Sequence, residues 1–132
     1  MSKVRSTGNR STELRLRMAL VRHGVTGWQL HPRGIAGTPD FWFRREGVAL
    51  FVDGCFWHGC PRCLRLPKGN RVYWSAKIAG NIARAKAIDA VLRQKGYAVM
   101  RIWEHRLKTP LQIRDVIGRI KLKILQHARS VS

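Results

Sequence analysis

All three cysteines of the chain lie in one short stretch, with a histidine and two aromatic side chains between them. The stretch runs from Asp53 to Cys63 and reads DGCFWHGCPRC. Three thiolates this close, in a loop that contains glycine and proline, can bind one ion, and tetrahedral zinc requires a fourth ligand. The spacing therefore predicts a structural zinc site built on Cys55, Cys60 and Cys63.

Histidine is the residue type that remains for the fourth ligand, and the chain has five. We predict His105, because it follows a predicted third strand next to the end of the strand that leads into the cysteines. His58 is the alternative, although a ligand so near Cys55 and Cys60 would strain the loop. A further alternative is that the three thiols are free and structural.

Two carboxylates, Asp40 and Asp53, flank a predicted β-hairpin with strands at residues 41–43 and 48–52 and a glycine-containing turn between them. A turn centred between residues 46 and 47 places the two acids opposite each other, with Cβ atoms about 4.5–5.5 Å apart. Carboxylates so close share a proton or a cation, and their hard oxygen atoms suit Mg²⁺. A bulge that shifts the register is the alternative, and both acids would then cap strand ends.

His58 follows Asp53 closely in the chain. An imidazole that zinc does not bind can act there as the general base for attack by water. Together with paired acids and a hard metal ion, it predicts metal-assisted hydrolysis of a phosphodiester.

Phe56 and Trp57 lie in a loop whose composition places it near the surface. We interpret them as a wedge that enters between base pairs, where apolar side chains replace lost stacking. Packing as a small core over the metal is the alternative. Trp74, at the start of the following helix, fits either interpretation.

The charge of the chain indicates its class of partner. The 132 residues include 26 Lys and Arg but only seven Asp and Glu, for a formal net charge of +19. A domain this small tolerates such repulsion most easily beside a polyanion, and nucleic acid is the leading candidate. A ribosomal-type protein without chemistry is the alternative. An anionic membrane is disfavoured because the basic residues are spread along the chain, and no apolar run is long enough for a span.

Hydrophobic patterning predicts one domain over residues 1–132, with a basic arm at residues 1–10 and no signal peptide. A helix follows from Ser11 or Thr12 to about Val21, with Leu14, Met18 and Val21 on its inner face. Glu13 would lie in the first turn, where the helix dipole favours a carboxylate. The later predicted elements are a strand at 28–31, the hairpin, a helix over 70–95, a strand over 97–104 and a helix from 110. This order predicts an α/β fold in which a small mixed sheet is flanked by helices.

Three segments carry a resemblance to a known family. They read GTPDF at residues 37–41, FVDGCFWHGC at 51–60 and VMRIWEH at 99–105. They resemble the very-short-patch mismatch repair (Vsr) endonucleases, and Ser11 to Leu14 and Asn81 to Arg84 also fit. The similarity covers about residues 1–107.

The resemblance implies a restriction-endonuclease-like fold and an enzyme that nicks one DNA strand 5′ to the thymine of a T·G mismatch. Such mismatches arise when 5-methylcytosine is deaminated. The implied partners are mismatched double-stranded DNA and mismatch-repair proteins. The implied protein is a monomer in a bacterial-type cytoplasm, associated with the nucleoid. A nuclease of the same fold with another trigger, in restriction or mobile elements, and a non-catalytic zinc-stabilised binding module are the rival hypotheses.

The resemblance also assigns roles to individual residues. Asp40 matches the catalytic Mg²⁺ ligand, with the Val52 carbonyl as a second ligand and Asp53 beside them. His58 matches the residue that activates water, and Glu13 the acid that supports it. The matching zinc ligands are Cys55, Cys60 and His105. The matching DNA-contacting residues are Phe56, Trp57, Trp74, Asn81 and Arg84.

Two positions depart from the family pattern. Cys63 lies one residue later than the expected third zinc ligand, so the cysteine loop can be wound differently. Asp53 occupies the place of a second catalytic histidine, which makes the predicted metal site more acidic.

Overall fold

The structure is a computed structural model that describes the backbone of residues 2–131 and the side chains of residues 11–128. Three α-helices and four β-strands are connected by loops and one short 3₁₀ helix, Glu104–Leu107. In chain order, the main elements are α1 (Ser2–Arg22), β1 (Trp28–Leu30), β2 (Phe41–Phe43), β3 (Val48–Asp53), α2 (Arg71–Gln94), β4 (Ala98–Trp103) and α3 (Pro110–Val131). Every helix in the described residues is too short or too polar to cross a membrane.

The four strands form one mixed sheet in the order β1-β2-β3-β4. The first two pairs are antiparallel, and β3 and β4 are parallel. Because two parallel neighbours require a crossover, α2 connects them across one face of the sheet. The predicted fold class, a small mixed sheet flanked by helices, is confirmed.

Each face of the sheet has its own hydrophobic core. Alternate residues of β2 and β3 point to opposite faces of the sheet. Every residue of both strands is buried, which shows that both faces are covered. Helices α1 and α3 cover one face, with Leu16, Leu20 and Ile120 fully packed there. Leu92 of α2 packs against Trp42 on the other face. The sheet is thus covered on both sides, and its chemistry is confined to strand ends and loops.

Helix α1 differs from the prediction in two ways. It begins at Ser2 instead of near Ser11, so the proposed arm is helical backbone, and its side chains lie outside the described ones. Its inner face was also predicted wrongly: Met18 is 55% exposed, whereas Leu16 is fully buried. This segment is apolar on several sides, so its periodicity does not identify one face. Glu13 consequently lies far from the helix N-terminus, and the dipole role does not apply.

The hairpin register also differs from the prediction. Phe41 pairs with Leu50 and Phe43 with Val48, and Gly47 N–H donates to the Phe43 carbonyl. Extending this ladder sets Asp40 opposite Phe51 instead of Asp53. The prediction failed because the loop contains four residues, Arg44 to Gly47, and is centred one position earlier than expected.

The termini of α2 and α3 are capped in different ways. Gln112 N–H donates to Thr109 Oγ1, and Thr109 N–H donates to Gln112 Oε1, so a reciprocal capping box starts α3. Asn70 precedes α2 at the N-cap position, but it adopts left-handed backbone and makes no side-chain capping bond. Gly96 follows α2 with φ of 87°, which suits a C′ glycine.

Candidate active site and metal centre

The three cysteines and His105 meet at the end of β3. Their ligand atoms all lie within 4.8 Å of one another. The Nδ1 atom of His105 is 3.3, 3.7 and 3.3 Å from the Sγ atoms of Cys55, Cys60 and Cys63. A zinc tetrahedron with ordinary bond lengths requires about 3.5 Å between nitrogen and sulfur. The donor set and its spacing therefore fit a closed Cys₃His metal site.

The register of the parallel strands explains why His105 reaches this site. Asp53 pairs with Trp103, and the same offset carried two residues further sets Cys55 beside His105. Cys55 N–H donates to Glu104 Oε1 at 2.9 Å, which fixes the start of the loop. His58 does not belong to the cluster, so the described structure favours the predicted ligand over its alternative.

Ionisation within this cluster is uneven in the metal-free protein. Burial raises the pKa of the Cys55 thiol to about 12. Burial also raises the pKa of Cys60, but backbone N–H groups of Arg62 and Cys63 lower it, and the lowering prevails. Burial lowers the pKa of His105, which favours the neutral imidazole that ligates metals. A bound cation would favour the thiolate at each cysteine.

The loop between the cysteines packs tightly on α2. Gly59 has φ of 64°, and an added Cβ would lie 2.8 Å from Ile82 Cδ1 and 2.9 Å from Ile78 Cγ2. Only glycine combines left-handed backbone with so close an approach. Asn81 is buried and donates from Nδ2 to the Trp57 carbonyl at 2.9 Å. In the structure it supports the loop, and its predicted DNA contact remains a prediction.

Four aromatic side chains form a cluster at the outer side of this loop. Phe56, Trp57 and Trp74 contact one another edge to face, with ring centroids 5.1–5.9 Å apart. Tyr73 extends the group against Trp74. Phe56, Trp57 and Trp74 are half-buried, and Tyr73 is exposed. The cluster is compatible with both a wedge and a small core, because the rings pack on one another and still present apolar surface to solvent.

A cleft of about 280 Å³ opens beside this loop. Its lining brings together the ends of β2 and β3, the middle of α2 and the centre of β4. The predicted residues among its walls are Asp40, Val52, Asp53, His58, Asn81 and Arg84. Arg84 also donates to Asn81 Oδ1. The cleft therefore collects acids, an imidazole and guanidinium groups in one place.

Within the cleft, Asp53 is paired with a cation. Arg101 Nη1 donates to Asp53 Oδ1 at 2.9 Å, and its Nε and Nη2 atoms bind the Asp89 carboxylate. His58 Nε2 lies 3.8 Å from the same Asp53 oxygen. Asp53 thus connects an arginine and a histidine. Its assignment as a Mg²⁺ ligand stays a prediction, and the observed hairpin register does not support it.

Asp40 has an unusual environment. Burial raises its pKa from 3.8 to about 6, against the effect of the Val52 N–H, which donates to Oδ2 at 2.7 Å. The nearby carboxylate of Glu13 raises the pKa further, while His31 lowers it. Negative charge here is costly without a neighbouring cation.

Glu13 and His31 complete a second group with Asp40. The three ligand atoms lie within 4.8 Å of one another, and His31 Nε2 is 2.8 Å from Glu13 Oε1. Glu13 was predicted to support His58, but its observed partners are His31 and, through charge, Asp40.

Sequence reasoning missed three residues of the site. Arg101 is a charged residue inside an otherwise apolar strand, a pattern that indicates a paired charge. Its partner Asp89 lies on α2 and has no local signal. His31 follows β1 in left-handed backbone, and its proximity to Asp40 becomes visible only in the folded chain.

A mixed sheet between helices, with an acid-lined cleft and a Cys₃His group at the end of β3, is the arrangement expected for a restriction-endonuclease-like nuclease. Comparison with known proteins agrees with this class. The profile of the family described as DNA mismatch endonuclease Vsr matches residues 1–64.

Individual relatives extend the match beyond the cysteines. The type II nicking enzyme V.XorIIP of Xanthomonas oryzae is 40% identical over 109 residues, which cover 81% of this chain and 78% of the relative. V.NaeI of Lentzea aerocolonigenes is 36% identical over 75% of this chain and 58% of its own length. DNA mismatch endonuclease Vsr of Escherichia coli is 26% identical over 85% of this chain and 73% of its own. The chain belongs to the Vsr endonuclease family.

Proposed function

We propose that this protein is a divalent-metal-dependent DNA endonuclease that nicks one strand 5′ to the thymine of a T·G mismatch. The observation that carries the proposal is the cleft in which Asp40, Asp53 and His58 meet beside the aromatic cluster. Acids and an imidazole can supply hydrolytic chemistry, and aromatic rings that present apolar surface to solvent can stack on unstacked bases. The proposal includes a monomer that acts on double-stranded DNA in a bacterial cytoplasm, beside mismatch-repair proteins.

His58 is proposed to accept the proton of the attacking water. The Asp53 carboxylate, 3.8 Å from His58 Nε2, would stabilise the imidazolium that results. Arg101 holds Asp53 at 2.9 Å and so fixes the orientation of this pair. Arg84, which also lines the cleft, is proposed to bind a DNA phosphate.

Asp40 and the Val52 carbonyl are proposed to hold Mg²⁺, whose preferred ligands are oxygen atoms. The ion, when bound, neutralises charge on the scissile phosphate and activates water. Asp40 fits this role because burial, and to a smaller extent the nearby Glu13 carboxylate, raises its pKa, so a bound cation would stabilise its charged form. Zinc is proposed at the Cys₃His site, where its role is structural because four protein ligands close the coordination sphere.

The mismatch itself is proposed to be recognised by the aromatic cluster. Unstacking a mismatched base pair costs less free energy than unstacking a Watson–Crick pair, so apolar wedges enter most readily at a mismatch. Phe56 and Trp57 lie at the surface next to the cleft, which would place the opened step beside the catalytic groups.

A same-fold nickase with another trigger is the second candidate function. The printed names of several relatives, type II nicking enzymes, favour single-strand cleavage without stating what starts it. A non-catalytic zinc-stabilised binding module is the third candidate, and the acid-lined cleft argues against it.

Asp40→Ala separates an enzyme from a binding module. The variant should lose at least about 100-fold of the nicking rate on a mismatched duplex, because the metal ligand is absent, while DNA affinity changes little. The matched control is Asp115→Ala, which removes an exposed acid on α3 that pairs with Arg119. Undiminished nicking by Asp40→Ala would show that the metal site is assigned wrongly.

A further inference from the structure

The group formed by Glu13, His31 and Asp40 has a composition that the proposed Mg²⁺ site does not use. It combines two carboxylates with an imidazole, and all three ligand atoms lie within 4.8 Å of one another. Each residue comes from a different segment: α1, the end of β1 and the start of β2. Three ligand-type side chains that the fold brings together from separate segments indicate a metal site more strongly than acidic residues that are merely adjacent in sequence.

The β1–β2 ladder places His31 at this point. Leu30 pairs with Phe41 at the last step of the ladder, so His31 follows β1 at the same end of the sheet where Asp40 precedes β2. His31 leaves the strand in left-handed backbone, with φ of 47°, and its ring lies within 4.8 Å of the Asp40 carboxylate. Glu13 reaches the same edge from the middle of α1, and its Oε1 atom lies 2.8 Å from His31 Nε2.

The spacing fits a metal ion that binds all three side chains. Adjacent ligand atoms around an octahedral ion with bonds of about 2.1 Å lie about 3 Å apart. The contact between His31 and Glu13 already has this length, and the remaining pairs, which lie within 4.8 Å, would close on an ion by side-chain rotation. Side-chain exposure is 49% for His31 and 16% for Glu13, so the imidazole is the accessible member of a largely covered site.

We propose that His31 supplies a nitrogen ligand to the catalytic ion, in a two-carboxylate, one-imidazole site with Glu13 and Asp40. This inference rests on the proposed function, because it describes the ion at Asp40. Mg²⁺ prefers all-oxygen surroundings, whereas imidazole suits transition metal ions. The imidazole is therefore expected to strengthen the binding of Mn²⁺, or of a similar nitrogen-accepting ion, more than the binding of Mg²⁺.

The rival interpretation is a simple ion pair that fastens the end of β1 to α1. In that case His31 contributes to stability and has no effect on metal binding. The two interpretations differ in whether a bound paramagnetic ion senses the imidazole nitrogen.

Pulsed electron paramagnetic resonance of Mn²⁺ added to the full, zinc-loaded chain measures this directly. The wild type should show coupling of the electron spin to an imidazole nitrogen. His31→Gln should lose that coupling and weaken Mn²⁺ binding about 10-fold or more, while Mg²⁺ binding changes less than about threefold. His23→Gln, which alters the histidine just after α1, is the matched control and should keep both properties. Thermal unfolding checks that each variant is folded.

Three results would overturn the inference: no Mn²⁺ binding, bound Mn²⁺ without nitrogen coupling in the wild type, or coupling that persists in His31→Gln. Nicking of a mismatched duplex, measured on the same samples, separates this failure from failure of the proposed function. Nicking without a nitrogen signal contradicts the His31 ligand alone. A nitrogen signal without nicking contradicts the function and leaves the metal site standing.

Discussion

At the residue scale, Asp40 illustrates a conflict between stability and chemistry. Its carboxylate is largely buried and close to Glu13, so the charged form is disfavoured and the pKa rises to about 6. The native state then binds more protons than the unfolded state between about pH 4 and pH 6. Stability contributed by the neutral form is complete below the unfolded value of 3.8 and is lost as pH rises through the folded value.

Asp40→Asn is therefore expected to inactivate and to stabilise the protein. Without added divalent metal at pH 7.5, we expect the free energy of unfolding to rise by roughly 1–3 kcal/mol, because a shift of one pKa unit corresponds to about 1.4 kcal/mol. The gain should shrink to about half by pH 5. Urea unfolding of both zinc-loaded proteins between pH 5 and pH 8 measures it. A gain that is independent of pH would contradict the electrostatic explanation.

The clustering of the cysteines was predictable because its signal is local in sequence. The spacing of Cys55, Cys60 and Cys63 is enough to predict a metal site, and the structure brings the three side chains together. The role of Asp53 depends on its contacts, because the partner that neutralises it, Arg101, is 48 residues away along the chain. No local pattern carries that information.

At the element scale, the parallel pair β3 and β4 organises both sites. Asp53 at the end of β3 faces the cleft, and two residues later Cys55 begins the metal loop beside His105. A metal ion bound there would link the end of β3 to the end of β4, although α2 lies between these two strands in the sequence. The same ion would hold the cysteine loop, and with it His58, against the sheet.

Removal of the metal should consequently disable the fold around the cleft. Metal analysis should find about one zinc per chain, and chelation should lower the melting temperature by roughly 10 °C or more, because structural zinc contributes folding free energy directly. His105→Ala should reproduce the effect of chelation, whereas His23→Ala should not. A folded, metal-free protein that melts at the same temperature would contradict a structural zinc site.

The aromatic loop is the second element with a testable role. Trp57→Ala should reduce the preference for mismatched over paired duplex by about 5- to 100-fold, since stacking on one base contributes about 1–3 kcal/mol. Val72→Ala is the control, because Val72 is 85% exposed near the start of α2. Binding titrations with both duplexes measure the ratio. An unchanged ratio, with zinc content intact, would assign Trp57 to packing alone.

The elements also show where sequence patterns lose information. The order of strands and helices was predictable from alternation and turns, including the helix that starts at residue 110. The inner face of α1 was not, because Leu16 and Met18 are both apolar and only packing against α3 and the sheet selects between them. The hairpin register depended on a loop whose length the glycine alone did not determine.

At the scale of the whole molecule, the chain carries a formal net charge of +19, and its cleft contains acids. Long-range attraction brings the DNA backbone to the surface and weakens with salt, but it carries no sequence information. The proposed function therefore assigns discrimination to the cleft and to the aromatic cluster. It predicts a small basic domain that binds DNA generally and cuts it selectively.

Cleavage of strand-labelled duplexes tests the account most directly. Two duplexes that differ only in one T·G or T·A pair are incubated with the zinc-loaded protein, with and without Mg²⁺ or Mn²⁺, in several flanking sequences. We predict a single nick 5′ to the mismatched thymine that requires a divalent ion, at a rate at least about 10-fold above that of the paired duplex. Equal nicking of both duplexes, cleavage of both strands, or nicking without added divalent metal would contradict it.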